Sequence, residues 1–417
     1  MALSGMQIYK SLPKTNCKDC GLPTCMAFAM QVAAKKRALT DCPHMEEEAV
    51  AQLADASSPP MKLVKIGPDG GHFETGQETV MFRHEEKFHR PCGIAVRIPG
   101  SSSDEEARKK IDAINESRFV RVGEELKVSL CAVELDGTAD SAARASLAAE
   151  KSGVPLILVS SNPDAVKAAL GVTGKMKPLI YRADSSTIDA FADMAGSAGV
   201  PLAVHGKDLE ELAELTQRAK AKGAEELLLS FEATDTGEAI RSITASRRAA
   251  LRKTFRALGY PAIVDCGADD PADEAVKASI FAAKYAGIII IDHTEPWELL
   301  SILTTVQDIY TDPQVPNTVE AKLYEIGSPG RNAPVLFTTN FSLTYFSVAG
   351  EVERSRIPSY IVVVDTEGLG VLNAYAGDKI SAEKIVKTIK EQGVAEKVDH
   401  RRLIIPGLLP IFRAEIE

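Results

Sequence analysis

From residue 92 onward the chain repeats one pattern: a short apolar run, a polar break, then a stretch whose apolar residues recur at helical spacing. The runs are CGIAVRI (92–98), KVSLCAVEL (127–135), PLILVS (155–160), PLIYR (178–182), VPLAVH (200–205), EELLLSF (225–231), PAIVDC (261–266) and GIIIID (287–292). Between them lie helical stretches such as SDEEARKKIDAINE, TADSAARASLAAEKSG and PADEAVKASIFAAKYAG. Asn162 before Pro163 reads as an N-cap followed by proline in the first turn. Strands apolar on both faces belong to a covered parallel sheet. Eight such units predict an α/β fold with a central (β/α)8 TIM barrel over 92–315. An open doubly wound sheet is the runner-up.

The flanks break this rhythm. Residues 1–58 form a small N-terminal module, and ASSPP (56–60) reads as a linker that lets it move. Residues 59–91 read as a linker with extended or hairpin segments around Gly70 and Gly71. After the helical PWELLSILTTVQDIY, a connection rich in proline and glycine leads into a second α/β pattern over 316–417. There VLFTT, SYIVVVD (359–365) and RRLIIPG (401–407) read as strands, and SAEKIVKTIKEQG reads as a helix capped by Ser381 with Gly393 beyond its end. That order is Rossmann-like.

Composition narrows the class. The chain has 417 residues, 45% hydrophobic and 25% charged, with a formal net charge of −10. Such a chain buries a large core and carries no basic signature for nucleic acid. No apolar run reaches membrane-spanning length, and the start lacks a secretory leader, so the expected location is the cytoplasm.

Four of the seven cysteines fall within residues 17–42. Cys17, Cys20, Cys25 and Cys42 are spaced C-x2-C-x4-C-x16-C, and Gly21 and Pro23 supply turn geometry between the second and third. Structural disulfides are rare in the cytoplasm, so the spacing points to metal binding. Four thiolates suit tetrahedral zinc or a [4Fe–4S] cube. The lone fourth cysteine followed by Pro43, and the apolar neighbours Leu22, Met26 and Phe28, favour the cube over zinc, and both over a redox pair. Cys92, Cys131 and Cys266 sit in strand-like runs and read as small buried residues.

Polar residues fall at the expected strand ends: Asp136, Ser160, Asp184, His205, Glu232, Asp265, Asp292 and His293. That face carries catalysis in barrel enzymes, but strand ends are polar in any barrel, and a solvated or locally hydrogen-bonded rim is the simpler reading. In the C-terminal domain the loops at 338–344, 366–371 and 406–407 would converge beyond the strand ends, where open parallel sheets bind ligands. Gly368 and Gly370 would let backbone approach a ligand closely.

Taken in order, these parts resemble the large (gamma) subunit of the corrinoid iron-sulfur protein, also found in the acetyl-CoA decarbonylase/synthase complex. The most specific stretches are LPKTNCKDCGLPTCMAFAM with DCP, TTNFSLTYFSVAGEVE and VVDTEGLGVLNAYAGDKI, and the similarity runs along essentially the whole chain. The resemblance implies Cys17, Cys20, Cys25 and Cys42 as [4Fe–4S] ligands. It implies Thr338, Thr344, Gly368, Leu369, Gly370 and Val371 as contacts to a corrinoid, a cobamide holding cobalt. No catalytic residue follows from it. The implied role is a methyl-group carrier of the reductive acetyl-CoA (Wood–Ljungdahl) pathway. Cobalt accepts methyl from a methyl-tetrahydropterin or folate through its methyltransferase and passes it to acetyl-CoA synthase/CO dehydrogenase. The cluster reduces Co(II) to Co(I). The barrel then serves association with a small subunit in a heterodimer.

The adjacent pairs Asp292–His293 and Asp399–His400 do not match the D-x-H-x-x-G pattern that brings a protein histidine to cobalt. Members of the family run somewhat further than LLPIFRAEIE, which reads as a helix just beginning, and a chain ending here would lack the last corrinoid-contacting segment. Two other classes stand beside the carrier. One is a self-sufficient barrel methyltransferase holding methyl-pterin at Asp136, Asn162, Asp184 and Asp292. The other is a zinc-stabilised scaffold with neither cofactor.

Overall fold

The computed structural model describes residues 5–34, 36–46, 49, 59–135 and 141–417. Asp136 and most of the ASSPP segment therefore lie outside the described residues. The chain forms two compact units: Met1–Met81, His89–Asn115 and Ser129–Glu298 make one, and Phe82–Phe88, Glu116–Val128 and Leu299–Glu417 the other.

In the first unit, helices α1 (Gly5–Lys10) and α2 (Cys25–Ala33) enclose a small core of Ile8, Leu12, Phe28, Ala29 and Met45 together with Cys25 and Cys42. Thr24 starts α2 by accepting a hydrogen bond from the Ala27 N–H at 3.1 Å. Strands β1 (Leu63–Ile66) and β2 (Phe73–Gly76) pair antiparallel around Gly70 and Gly71. This hairpin does more than connect. Val64 and Ile66 are fully buried in one cluster with Leu130, Ile157 and Leu179. Phe73 packs so closely on Gly93 that a Cβ there would lie 2.5 Å from the ring.

Gly93 opens β3 (Gly93–Ile98), followed by α3 (Asp104–Glu116). The hairpin of β4 (Arg118–Arg121) and β5 (Glu124–Lys127) comes next and groups with the second unit. The apolar run at 127–135 thus divides between hairpin and barrel. Strands β6 (Leu130–Glu134), β7 (Leu156–Val159), β8 (Leu179–Ala183), β9 (Leu202–Gly206), β10 (Leu227–Phe231), β11 (Ala262–Asp265) and β12 (Ala286–Ile291) then pair in parallel and close on β3. The expected barrel closure is present. Helices α4 (Ser141–Lys151), α5 (Pro163–Thr173), α6 (Ile188–Ala198), α7 (Leu209–Ala221), α8 (Thr236–Lys253), α9 (Pro271–Ala283) and α10 (Pro296–Tyr310) alternate with the strands. Their starts obey simple chemistry: Asn162, Asp208, Asp235 and Asp270 each cap with a side-chain oxygen, and Pro163 and Pro271 stand in first turns.

The second unit contains a sheet ordered β13 (Leu323–Ile326), β15 (Ser359–Val364), β14 (Val335–Thr339). Strand β13 is antiparallel to β15, and β14 is parallel to it. The expected strand at 401–407 shrinks to a single parallel bridge, Ile404 against Leu336. Pro406 cannot donate to a ladder, which limits its length. Helices α11 (Ser342–Ser355), α12 (Val371–Ala376) and α13 (Ala382–Glu391) follow, with single turns of helix at Val394–Lys397 and Arg413–Ile416, and Ser381 caps α13 as expected. No described helix is long and apolar enough to cross a membrane.

Candidate functional site

The N-terminal module brings all four spaced cysteines to one hollow. Cys17, Cys20, Cys25 and Cys42 line it with Leu22 and Phe28. Cys25 and Cys42 are buried, Cys20 is half-buried and Cys17 is exposed; none forms a disulfide. The loop earns its shape from backbone signs. Lys14, Asn16, Lys18 and Gly21 all take positive φ. Such alternation turns successive N–H groups toward one side, a concavity that suits an anion. Asn16 Oδ1 accepts from the Cys25 N–H at 2.8 Å, tying the loop to the start of α2, whose dipole also favours negative charge there. Asp19 Oδ2 lies 2.5 Å from His44 Nε2. Hydrogen bonds from His44 and Cys17 hold the Asp19 carboxyl below the usual range. Four thiols around one hollow, with Leu22 and Phe28 beside them, fit a thiolate-bound metal cluster.

At the barrel rim most strand-end residues are occupied by one another. Asp184 takes hydrogen bonds from the N–H and hydroxyl groups of Ser186 and Thr187. Partial burial opposes them, yet these bonds hold its carboxyl below the ordinary value. Ser160 Oγ accepts from the Asn162 N–H, and Asn162 itself caps α5. Arg97 pairs with Asp265 and, at 2.9 Å, with Asp292. The fully buried Glu274 accepts from the Asp292 and His293 N–H groups and pairs with His293 Nδ1 at 2.9 Å. The residues considered for a pterin site, Asn162, Asp184 and Asp292, thus serve a cap, a turn and an ion pair.

The C-terminal edge of the second sheet differs. From β14 the chain passes through α11 to β15 on one side, then returns at Ile404 on the other side of β14. The Phe337 N–H donates to Ile404 O at 3.2 Å, and the Ile404 N–H to Val335 O at 2.8 Å. This reversal makes the end of β14 a topological switch point, where open α/β sheets hold ligands. Thr338 and Thr339 lie there, both fully buried, and neither hydroxyl has a hydrogen-bond partner among the described residues.

Beyond them Asn340 organises the neighbouring loop. Its Oδ1 accepts from the Thr366 N–H (2.9 Å), the Thr366 hydroxyl (3.0 Å) and the Gly368 N–H (3.0 Å), while its Nδ2 donates to Asp365. Gly368 sits at φ +78°, where a Cβ would meet Pro316 and Thr318 at 2.7 and 2.8 Å. Gly370 faces Thr344: a Cβ would stand 3.6 Å from its hydroxyl. The first two loops expected to converge do so. Val371 turns its side chain into the core, and Leu369 packs against it. Sequence reasoning placed Thr339 and Asn340 within the converging 338–344 loop but gave neither a role of its own; an asparagine directly after a strand that ends in two threonines was the available signal. His293 is paired with Glu274, and His400 donates from Nε2 to Ala333 O at 2.9 Å while its Nδ1 accepts from the Arg402 N–H.

Comparison with known proteins adds two family matches. A family described as CO dehydrogenase/acetyl-CoA synthase delta subunit matches residues 63–417, and one described as a putative Fe-S cluster matches residues 12–44. The corrinoid/iron-sulfur protein large subunit of Moorella thermoacetica is 42% identical over 100% of this chain and 94% of its own length. The acetyl-CoA decarbonylase/synthase complex subunit gamma of Methanopyrus kandleri is 36% identical, over 100% of this chain and 93% of its own. That of Methanothermobacter thermautotrophicus is 33% identical, over 100% and 94%.

Proposed function

The chain belongs to the CO dehydrogenase/acetyl-CoA synthase delta subunit family, and from that premise we propose that it is a methyl carrier of the acetyl-CoA pathway. In this reading Cys17, Cys20, Cys25 and Cys42 hold a [4Fe–4S] cluster. A corrinoid rests on the C-terminal edge of the β14–β15 sheet, at Thr338, Thr344 and Gly368 to Val371. The observation that carries the second assignment is the pair of buried, unpartnered hydroxyls of Thr338 and Thr339 at the switch point. When bound, the corrinoid supplies the methyl-accepting centre and the cluster the electron that restores it after oxidation.

The residues do the positioning. Asn340 holds the 366–368 loop so that the glycine backbone, not side chains, meets the ligand. Leu343, Leu372 and Tyr375 stand about half exposed just beyond the two loops and offer an apolar platform for a flat macrocycle. Both candidate lower-face histidines, His293 and His400, are engaged within the protein, which supports a cobalt without a protein imidazole. The partners in this reading are a small subunit, a methyl-pterin methyltransferase and the acetyl-CoA synthase/CO dehydrogenase, with the cytoplasm as the location. The names of the relatives support membership in such an assembly.

Metal analysis with EPR on anaerobically purified protein tests this, wild type beside Cys20→Ala. The carrier gives about four irons per chain and a reducible cluster signal that the substitution removes, with a cobalt signal left intact. Stoichiometric zinc without iron, and no cobalt after reconstitution with cobamide and the small subunit, would overturn it in favour of a scaffold.

A further inference from the structure

We propose that the barrel mouth beyond β8 to β11 is a binding site for a small organic anion, a carboxylate or phosphate on an apolar body, held by Arg182 and Lys277. A cavity of about 560 Å3 opens there, within the range that small-molecule sites occupy. It lies at the strand C-termini, the face on which barrels place their ligands. It involves neither the cysteine module nor the second sheet, so it stands apart from the carrier reading.

The charges decide the class of ligand. Arg182 and Lys277 face the cavity, and neither forms an ion pair with a carboxylate among the described residues. Of the acidic groups that line it, Asp265 is committed to Arg97 and Asp235 caps α8 by accepting from the Glu238 N–H at 2.8 Å. Glu232 and Asp235, whose capping bond leaves its charge in place, stand against two cations that no described carboxylate pairs.

The wall is also built to orient a ligand. Arg182 Nη1 donates to His205 Nδ1 at 3.2 Å, which fixes the ring proton on Nε2. Ser230 Oγ, 97% buried by its residue exposure of 3%, lies 3.1 Å from the same Nδ1 and 3.5 Å from the Tyr181 hydroxyl. Ser230 thus sits between the Tyr181 hydroxyl and the imidazole, and the ring N–H of His205 is left as a further donor for an anion. Burial, then the Arg182 charge, keeps His205 below its ordinary pKa and therefore neutral. Phe231 and Ile263 supply apolar surface for the body of the ligand.

Equilibrium dialysis of the full chain against benzoate, phenyl phosphate and benzylamine tests the site. The expected result is one saturable site for benzoate or phenyl phosphate with Kd of about 1 mM or tighter, weakened about tenfold by Arg182→Gln and by Lys277→Gln. The tighter of the two anions assigns carboxylate or phosphate. Glu232→Gln, which removes one opposing charge, tightens binding about threefold. Absence of saturable anion binding, preference for benzylamine, binding indifferent to both cation substitutions, or weakening by Glu232→Gln would each overturn the proposal.

Discussion

Two ends of parallel strands meet different fates in this molecule. At the β3, β11 and β12 side of the barrel, strand-end polar groups satisfy one another: Arg97 joins Asp265 and Asp292, and Glu274 gathers the backbone after β12. At the end of β14, two equally buried hydroxyls find no partner among the described residues, while the adjacent Asn340 Oδ1 accepts three hydrogen bonds. Buried polar groups are nearly always paired, so the unpaired set beside a rigidly braced loop is what supports the proposed ligand site there. Polar residues at the strand ends of two α/β sheets therefore differ in whether their partners lie within the chain. What differs is the accounting of hydrogen bonds.

The sharpest way to break this contrast is Asn340→Leu. It strands the buried N–H groups of Thr366 and Gly368, so the apparent unfolding free energy in urea falls by about 3–5 kcal/mol, with loss of corrinoid. Gly368→Ala comes next: at φ +78° and against Pro316 and Thr318 the added methyl costs about 2–3 kcal/mol, read in the same experiment.

A pH titration probes the barrel side. Burial, reinforced by the neighbouring Glu274, pushes Glu298 up to about 7. Glu274, Glu295 and His293 are the groups whose charges act on it. Its folded pKa exceeds the unfolded value, so its stabilising contribution is complete below about pH 4.3 and is lost as pH rises toward 7. Stability should drop by on the order of 2 kcal/mol across that window once solvent screening is allowed for, and Glu298→Gln should flatten the slope in thermal melts.

The smallest effect on stability is the most informative. Thr338→Val leaves the cofactor-free protein unchanged to within about 1 kcal/mol, because no hydrogen bond is lost, while corrinoid affinity falls about tenfold. A stability loss of the size expected for a broken buried hydrogen bond would show that this hydroxyl already has a partner, and the contrast would fail.

Much of this was readable along the chain. Apolar runs spaced by helical stretches specify the eight barrel units because strand burial and helix amphipathicity are local patterns. Caps such as Asn162 and Ser381 are local too, since each side chain reaches a backbone N–H only two or three residues on. The cysteine spacing foretold a shared hollow because loop, helix start and return all lie within thirty residues. The hairpin at 63–76 was legible around Gly70 and Gly71, but its burial was not: that depends on Phe73 meeting Gly93 and on Val64 and Ile66 joining residues contributed by strands far along the chain. The strand expected at 401–407 failed for a related reason, as apolarity alone does not supply a ladder partner. The decisive distinctions, which threonine is orphaned, which aspartate is paired and which arginine still lacks a carboxylate, rest on contacts between residues far apart in the chain, such as Arg97 with Asp265, 168 positions on, and with the still more distant Asp292. Local sequence sets what each residue can donate or accept; only the folded chain decides which of those capacities are already filled.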